Sequence, residues 1–214
     1  MCEELVAPGR GRGLRGNSRW REGLYKCRQF RKQVVILGHS YVHDLQPDRP
    51  EYEPGFAVTA CAASGATTTN LRYSPAWRQM RDVDPDLTFL VIGGNDIGPN
   101  TVVRDVANNI KGLAQEIEEV TGGFCVIVGV EYRLDNPRCG VSREVYGKIR
   151  NSINRYLSRN IRWTQNRFLA LHTFEEDFKP DGVHLKPEAS KKLMERIIEE
   201  ARKYFTTFYH FKIR

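Results

Sequence analysis

No apolar run in the 214 residues approaches the ~20 that a membrane-spanning helix requires. The opening Met1-Cys2-Glu3-Glu4-Leu5-Val6-Ala7-Pro8 is acidic and lacks the apolar core of roughly 7–15 residues that a secretory signal needs, so an intracellular, cytoplasmic protein is expected. The five cysteines, Cys2, Cys27, Cys61, Cys125 and Cys139, are odd in number. They form neither a CxxC nor a Cys/His pair at a metal-ligand interval, which argues against a disulfide framework and a zinc site. Cys61 and Cys125 lie inside apolar runs, where a free thiol behaves as a small buried hydrophobe. No GxGxxG or GxxxxGKS/T follows a strand candidate, so the phosphate cradles of dinucleotide- and P-loop-binding folds are missing. There is no internal repeat.

What is present is an ordinary globular balance of 40% hydrophobic and 28% charged residues, enough for one buried domain. The charge is unevenly placed. Of the net +7, residues 1–32 carry nine basic residues against three acidic ones, and the remainder is nearly neutral. That segment holds Pro8-Gly9-Arg10-Gly11-Arg12-Gly13 and has neither strand nor helix periodicity. It cannot bury enough apolar surface to offset its ordering entropy and reads as a disordered basic arm. Its arginines suit phosphate contacts, with Trp20, Tyr25 and Phe30 as limited aromatic interleaving, so nucleic-acid contact through residues 1–32 is one expectation. The domain proper is expected over 33–205, followed by an aromatic and basic tail at 206–214. The stretch Phe205–Phe211 could cover the core, dock a partner or form a lid.

From residue 33 short β-branched runs alternate with longer helical periods, the pattern of an α/β fold with a parallel sheet. Strands are predicted at Val34–Leu37, Phe56–Cys61, Leu87–Ile92, Phe124–Val130 and Phe168–Leu171. Their continuous apolar character suits strands covered on both faces. The clearest helix is predicted after Asn100 as N-cap, with Val103, Val106, Ile110, Leu113, Ile117 and Val120 on one side and Gly122-Gly123 as its stop. A second follows Ser142, with Val145, Ile149, Ile153, Tyr156 and Leu157 along one face. A third starts near Pro187, and a weaker one over Thr67–Met80 breaks at Ser74-Pro75. The order β-α-β-α-β-α-β-α-β-α is that of an open doubly wound sheet, whose site lies at the carboxyl ends of the strands.

Four segments fall at those ends. Gly38-His39-Ser40-Tyr41 can present a serine hydroxyl at the sheet edge, although Ser40 also reads as a plain helix cap. Ser64-Gly65 can turn a backbone N–H toward a ligand or be an ordinary turn. Gly93-Gly94-Asn95-Asp96 offers an amide donor suited to an oxyanion, or a simple Gly-Asn-Asp turn. Lys179-Pro180-Asp181-Gly182-Val183-His184 can bring a carboxylate to an imidazole, or be a surface turn with an incidental histidine. Together they provide nucleophile, base, orienter and oxyanion donors, the complete set for acyl transfer.

In chain order these segments resemble the four signature blocks of the SGNH (GDSL-like) hydrolases, over about residues 33–205. The resemblance implies a three-layer α/β/α flavodoxin-like sandwich with a central five-stranded parallel sheet. It implies a triad of Ser40, His184 and Asp181, and an oxyanion hole from the Ser40 and Gly65 N–H groups and the Asn95 side chain. The expected function is hydrolysis of a short-acyl ester of a small molecule, glycan or lipid, without metal or organic cofactor. The block's usual Gly-Asp-Ser-Leu reads Gly38-His39-Ser40-Tyr41 here, so His39 stands beside the nucleophile in place of an aspartate. Adjacent residues of an extended segment point to opposite sides, which favours His184 over His39 as base. Similar domains occur in first-reading-frame proteins of some retrotransposons, and a weakly catalytic, nucleic-acid-associated accessory module is the alternative.

Overall fold

The computed structural model describes residues 32–45, 55–134, 140–161 and 166–209. Five strands, β1 (Gln33–Gly38), β2 (Ala57–Ala62), β3 (Leu87–Val91), β4 (Phe124–Val128) and β5 (Asn166–Leu169), form one sheet in the order β2-β1-β3-β4-β5. Every pairing is parallel. The order reverses beside β1, the switch point at which doubly wound sheets open a ligand crevice.

Successive strand residues serve opposite faces, and the side chains sort accordingly. Val35, Leu37, Leu90 and Ile127 pack with α1 (Pro75–Val83), α2 (Val103–Thr121) and α3 (Arg143–Asn160), through Met80, Ile110, Leu113 and Ile153. Val34, Ile36, Phe89 and Val128 pack on the other face with α4 (Pro187–Tyr209), through Leu193, Ile197 and Ala201. The three layers and the parallel five-stranded sheet agree with the sequence expectation. No described helix is long and apolar enough to cross a membrane, and Cys61 and Cys125 are buried free thiols.

Several boundaries move, for identifiable reasons. β4 stops at Val128 because Val130 leaves the ladder: its N–H donates to Asn154 Oδ1 and its carbonyl accepts from Asn154 Nδ2 and Arg150 Nε, all on α3. Asn100 is not the cap of α2. The chain first makes a turn in which Thr101 Oγ1 accepts from Gly98 N–H and donates to the Asp96 carbonyl, and Val102 takes the cap position. Gly122 ends α2 in a left-handed conformation, as its sequence suggests. Ser142 caps α3 by accepting from Val145 N–H, but Tyr146 rather than Val145 enters the core and Val145 stays exposed. Thr67–Tyr73 is a series of turns, and the helix there begins only after the Ser74 cap and Pro75. Between β1 and β2 the described residues hold a 3₁₀ turn, Ser40–Asp44, where a helix was expected. α4 continues through Phe205 to Tyr209, so the stretch assigned to a tail is helical that far. The Phe205 ring packs on Phe56 at 5.4 Å. The arm's aromatics and its nucleic-acid contact fall outside the described residues, as do Cys2, Cys27 and Cys139.

Candidate active site

At the end of β1 the chain passes so close to β3 that a Cβ on Gly38 would lie 2.0 Å from the Val91 carbonyl oxygen. His39 N–H then donates to that carbonyl at 3.2 Å, and the chain turns into the 3₁₀ segment that begins with Ser40. Glycine is required at this approach because any side chain would force β1 and β3 apart. The outcome is a serine fixed at the carboxyl edge, half-buried, at the mouth of a cleft of about 850 Å³.

Ser40, Gly65, Asn95, Asp181 and His184 all line that cleft. Asp181 sits in a turn with Pro180 before it and Gly182 after it, closed by Gly182 N–H donating to the Lys179 carbonyl. The turn is fastened on two sides. Leu134 N–H donates to the Gly182 carbonyl at 2.8 Å, and Lys179 Nζ pairs with Asp44 at 3.1 Å, linking it to the serine's own turn. One Asp181 oxygen accepts the Val183 and His184 backbone N–H groups, both at 2.9 Å. The other lies 2.7 Å from His184 Nδ1. Burial would raise the Asp181 pKa, but these donors outweigh it and hold the carboxyl down at about 2. Asp181 therefore stays ionised at neutral pH and fixes a proton on Nδ1, which leaves Nε2 as the free acceptor. No hydrogen bond joins Ser40 to His184 among the described residues.

Gly65 turns at φ +71°. Neither its N–H nor that of Ser40 donates to a backbone acceptor among the described residues. Asn95 belongs to a short 3₁₀ turn after β3. Its Nδ2 donates to the Ala66 carbonyl at 2.8 Å, which uses one of two N–H bonds, and its Oδ1 accepts from Arg133 Nη2 at 2.8 Å. Asp96 faces the Thr68 turn, accepting from Thr68 N–H at 3.0 Å and Thr68 Oγ1 at 2.6 Å. Burial raises its pKa against those two hydrogen bonds.

His39 does not line the cleft. It is wholly buried, with Nε2 2.8 Å from Glu131 Oε1 in a contact bent off the ring N–H axis. Its Nδ1 accepts weakly from Tyr41 N–H at 3.4 Å. Glu131 and Arg133 were not anticipated from the sequence. Both are buried just beyond β4, with Arg133 Nη2 3.3 Å from Glu131 Oε1. The available signal was two opposite charges directly after an apolar strand, in one of the strand-end positions where a doubly wound sheet places its site.

The family model described as the GDSL-like lipase/acylhydrolase family matches residues 12–192. Solved structures with similar folds include an aryl esterase of M. smegmatis, with a TM-score of 0.64, 16% identity, and 80% of this chain and 99% of that chain covered. A carbohydrate acetylesterase from Sinorhizobium meliloti gives 0.61 at 16% identity, covering 82% of this chain and 100% of the other. A GDSL-like lipase from Bacteroides thetaiotaomicron gives 0.59 at 17%, covering 86% and 97%. No curated protein matches the sequence significantly.

Proposed function

This chain belongs to the GDSL-like lipase/acylhydrolase family, and on that premise we propose that it is a serine esterase with Ser40 as nucleophile, His184 as base and Asp181 as orienter. The observation that carries the reading is the shared cleft. A serine at its mouth, a carboxylate–imidazole pair at 2.7 Å and an amide donor all face one space. His184 Nε2 takes the Ser40 proton as the oxygen attacks the ester carbonyl. The resulting oxyanion is held by the Ser40 and Gly65 N–H groups and by the second N–H of Asn95. Asp181 stabilises the imidazolium, which then protonates the leaving alcohol. The acyl-enzyme is hydrolysed by a water that His184 activates. These steps draw only on side chains and backbone of this chain.

The lining favours small acyl groups on polar alcohols. Its larger apolar side chains are Ile97 and Val183, against Ser64, Thr67, Asn95 and Arg133. Short-acyl esters of small molecules or glycans are therefore the substrates to assay first, a choice in keeping with the similar fold of the carbohydrate acetylesterase from S. meliloti. Ser40→Ala is expected to abolish p-nitrophenyl acetate hydrolysis and covalent labelling by a fluorophosphonate. Undiminished turnover in that variant would overturn the assignment.

A further inference from the structure

An ion pair buried beneath an active site costs desolvation that its mutual attraction does not automatically repay, so its placement calls for a reason. Glu131 is fully buried and Arg133 almost so, and they pack against the backbone that carries Asn95. A Cβ at Gly94 would fall 2.0 Å from Glu131 Oε1 and 2.8 Å from Arg133 Nη2. The pair is enclosed elsewhere by His39 at 2.8 Å from the same carboxylate oxygen and by Tyr146. The Tyr146 ring centre lies 5.8 Å from the guanidinium carbon, and its hydroxyl donates to the Glu131 carbonyl. Glu131 is kept ionised in this setting. Burial alone would raise its pKa, but the neighbouring His39 and Arg133 pull it down to about 2.

Arg133 Nη2 spends its two N–H bonds on Glu131 Oε1 at 3.3 Å and Asn95 Oδ1 at 2.8 Å. The second contact decides how the Asn95 amide lies. A guanidinium can only donate and the Ala66 carbonyl can only accept, so Oδ1 must face Arg133 and Nδ2 must face Ala66. Rotating the amide by half a turn would set donor against donor and acceptor against acceptor. A cation on Oδ1 also draws electron density through the amide and strengthens its remaining N–H as a donor.

We infer that Arg133, anchored by Glu131, is a positioning residue that fixes and polarises the Asn95 amide for the oxyanion. This inference rests on the esterase reading. Its effect belongs in kcat, because the oxyanion exists only beyond the ground state. It also belongs to Asn95 alone, so the arginine should lose its influence once the amide is gone.

The test is a double-mutant cycle on p-nitrophenyl acetate with wild type, Arg133→Lys, Asn95→Ala and the double variant. Asn95→Ala should lower kcat by about 10²–10³. Arg133→Lys keeps a cation beside Glu131 but loses the planar fork. It should lower kcat by about tenfold with KM within about twofold, and change kcat less than about twofold in the Asn95→Ala background. An equal loss in both backgrounds, or a loss confined to KM, overturns the inference. Should Arg133→Lys fold poorly, Arg133→Met with Glu131→Gln removes both buried charges and is read identically. Ser40→Ala assayed alongside separates the two levels. Full turnover there removes the esterase reading and this inference with it. An inactive Ser40→Ala with additive Arg133 and Asn95 effects removes this inference alone.

Discussion

Replacing Asp181 by asparagine changes the polarity of one hydrogen bond while keeping the shape of the turn. The carboxylate accepts three N–H groups, two backbone donors on one oxygen at 2.9 Å and the His184 ring on the other at 2.7 Å. The oxygen of an asparagine can retain both backbone contacts, so the turn keeps its two internal ties and its fastening through Gly182. The amide nitrogen would then face His184 Nδ1. Two donors cannot share that contact, so the imidazole proton must move to Nε2, and the nitrogen proposed to accept the Ser40 proton no longer can. The wrong tautomer in a Ser-His-Asp triad costs about 10⁴ in kcat, equivalent to about 5.5 kcal/mol of transition-state stabilisation. Stability should change far less, because the Asp181 and His184 side chains are 48% and 34% exposed and solvent screens their attraction. The assay is kcat on p-nitrophenyl acetate beside a thermal melt of the same preparations. A kcat within tenfold of wild type at an unchanged melting temperature would refute the proposed role of the pair.

Two further outcomes follow from the packing and the buried charge. Ile110 is fully buried between α2 and the sheet, so Ile110→Ala should cost about 2–5 kcal/mol in denaturant unfolding while leaving kcat close to wild type at low temperature; a cost under about 0.5 kcal/mol would contradict the observed packing. Glu131 is depressed to about 2 in the folded protein from an ordinary value near 4.5, so its contribution is present above about 4.5 and is lost as pH falls toward 2. The pH dependence of wild-type unfolding should be steeper across that window than that of Glu131→Gln, and parallel profiles would show that the carboxylate is not held as described.

Much of this architecture is local information. Continuous apolar runs mark strands covered on both faces, and all five appear within two residues of their expected starts. Ser142, Pro187 and Gly122 mark helix ends because capping is settled within one turn of chain. Asp181 and His184 were legible as a pair for a related reason: three residues and a proline–glycine turn set carboxylate and imidazole within reach of each other.

Misplaced features had two sources, partners distant in sequence and, at Asn100, a competing local turn. β4 ends early because Arg150 and Asn154, 20 and 24 residues later, take over the backbone groups of Val130. Asn100 lost the cap of α2 because Thr101 and Asp96 formed a turn first. The arrangement below Asn95 was least accessible of all. Glu131 and Arg133 follow β4, His39 follows β1 and Asn95 follows β3, so only the side-by-side order of those strands brings the four into contact.

By itself, then, the sequence picked out the short strand-end segments whose Ser40, Gly65, Asn95, Asp181 and His184 line one cleft, and these are the residues proposed to bear the chemistry. Tertiary structure alone decided that His39 turns away from the cleft into a buried ion cluster, and that Asn95 is gripped by a guanidinium. The physical reason is that caps and turns are closed by neighbours within a few residues, whereas a buried charge can be satisfied only by groups that the packed sheet delivers from other strands.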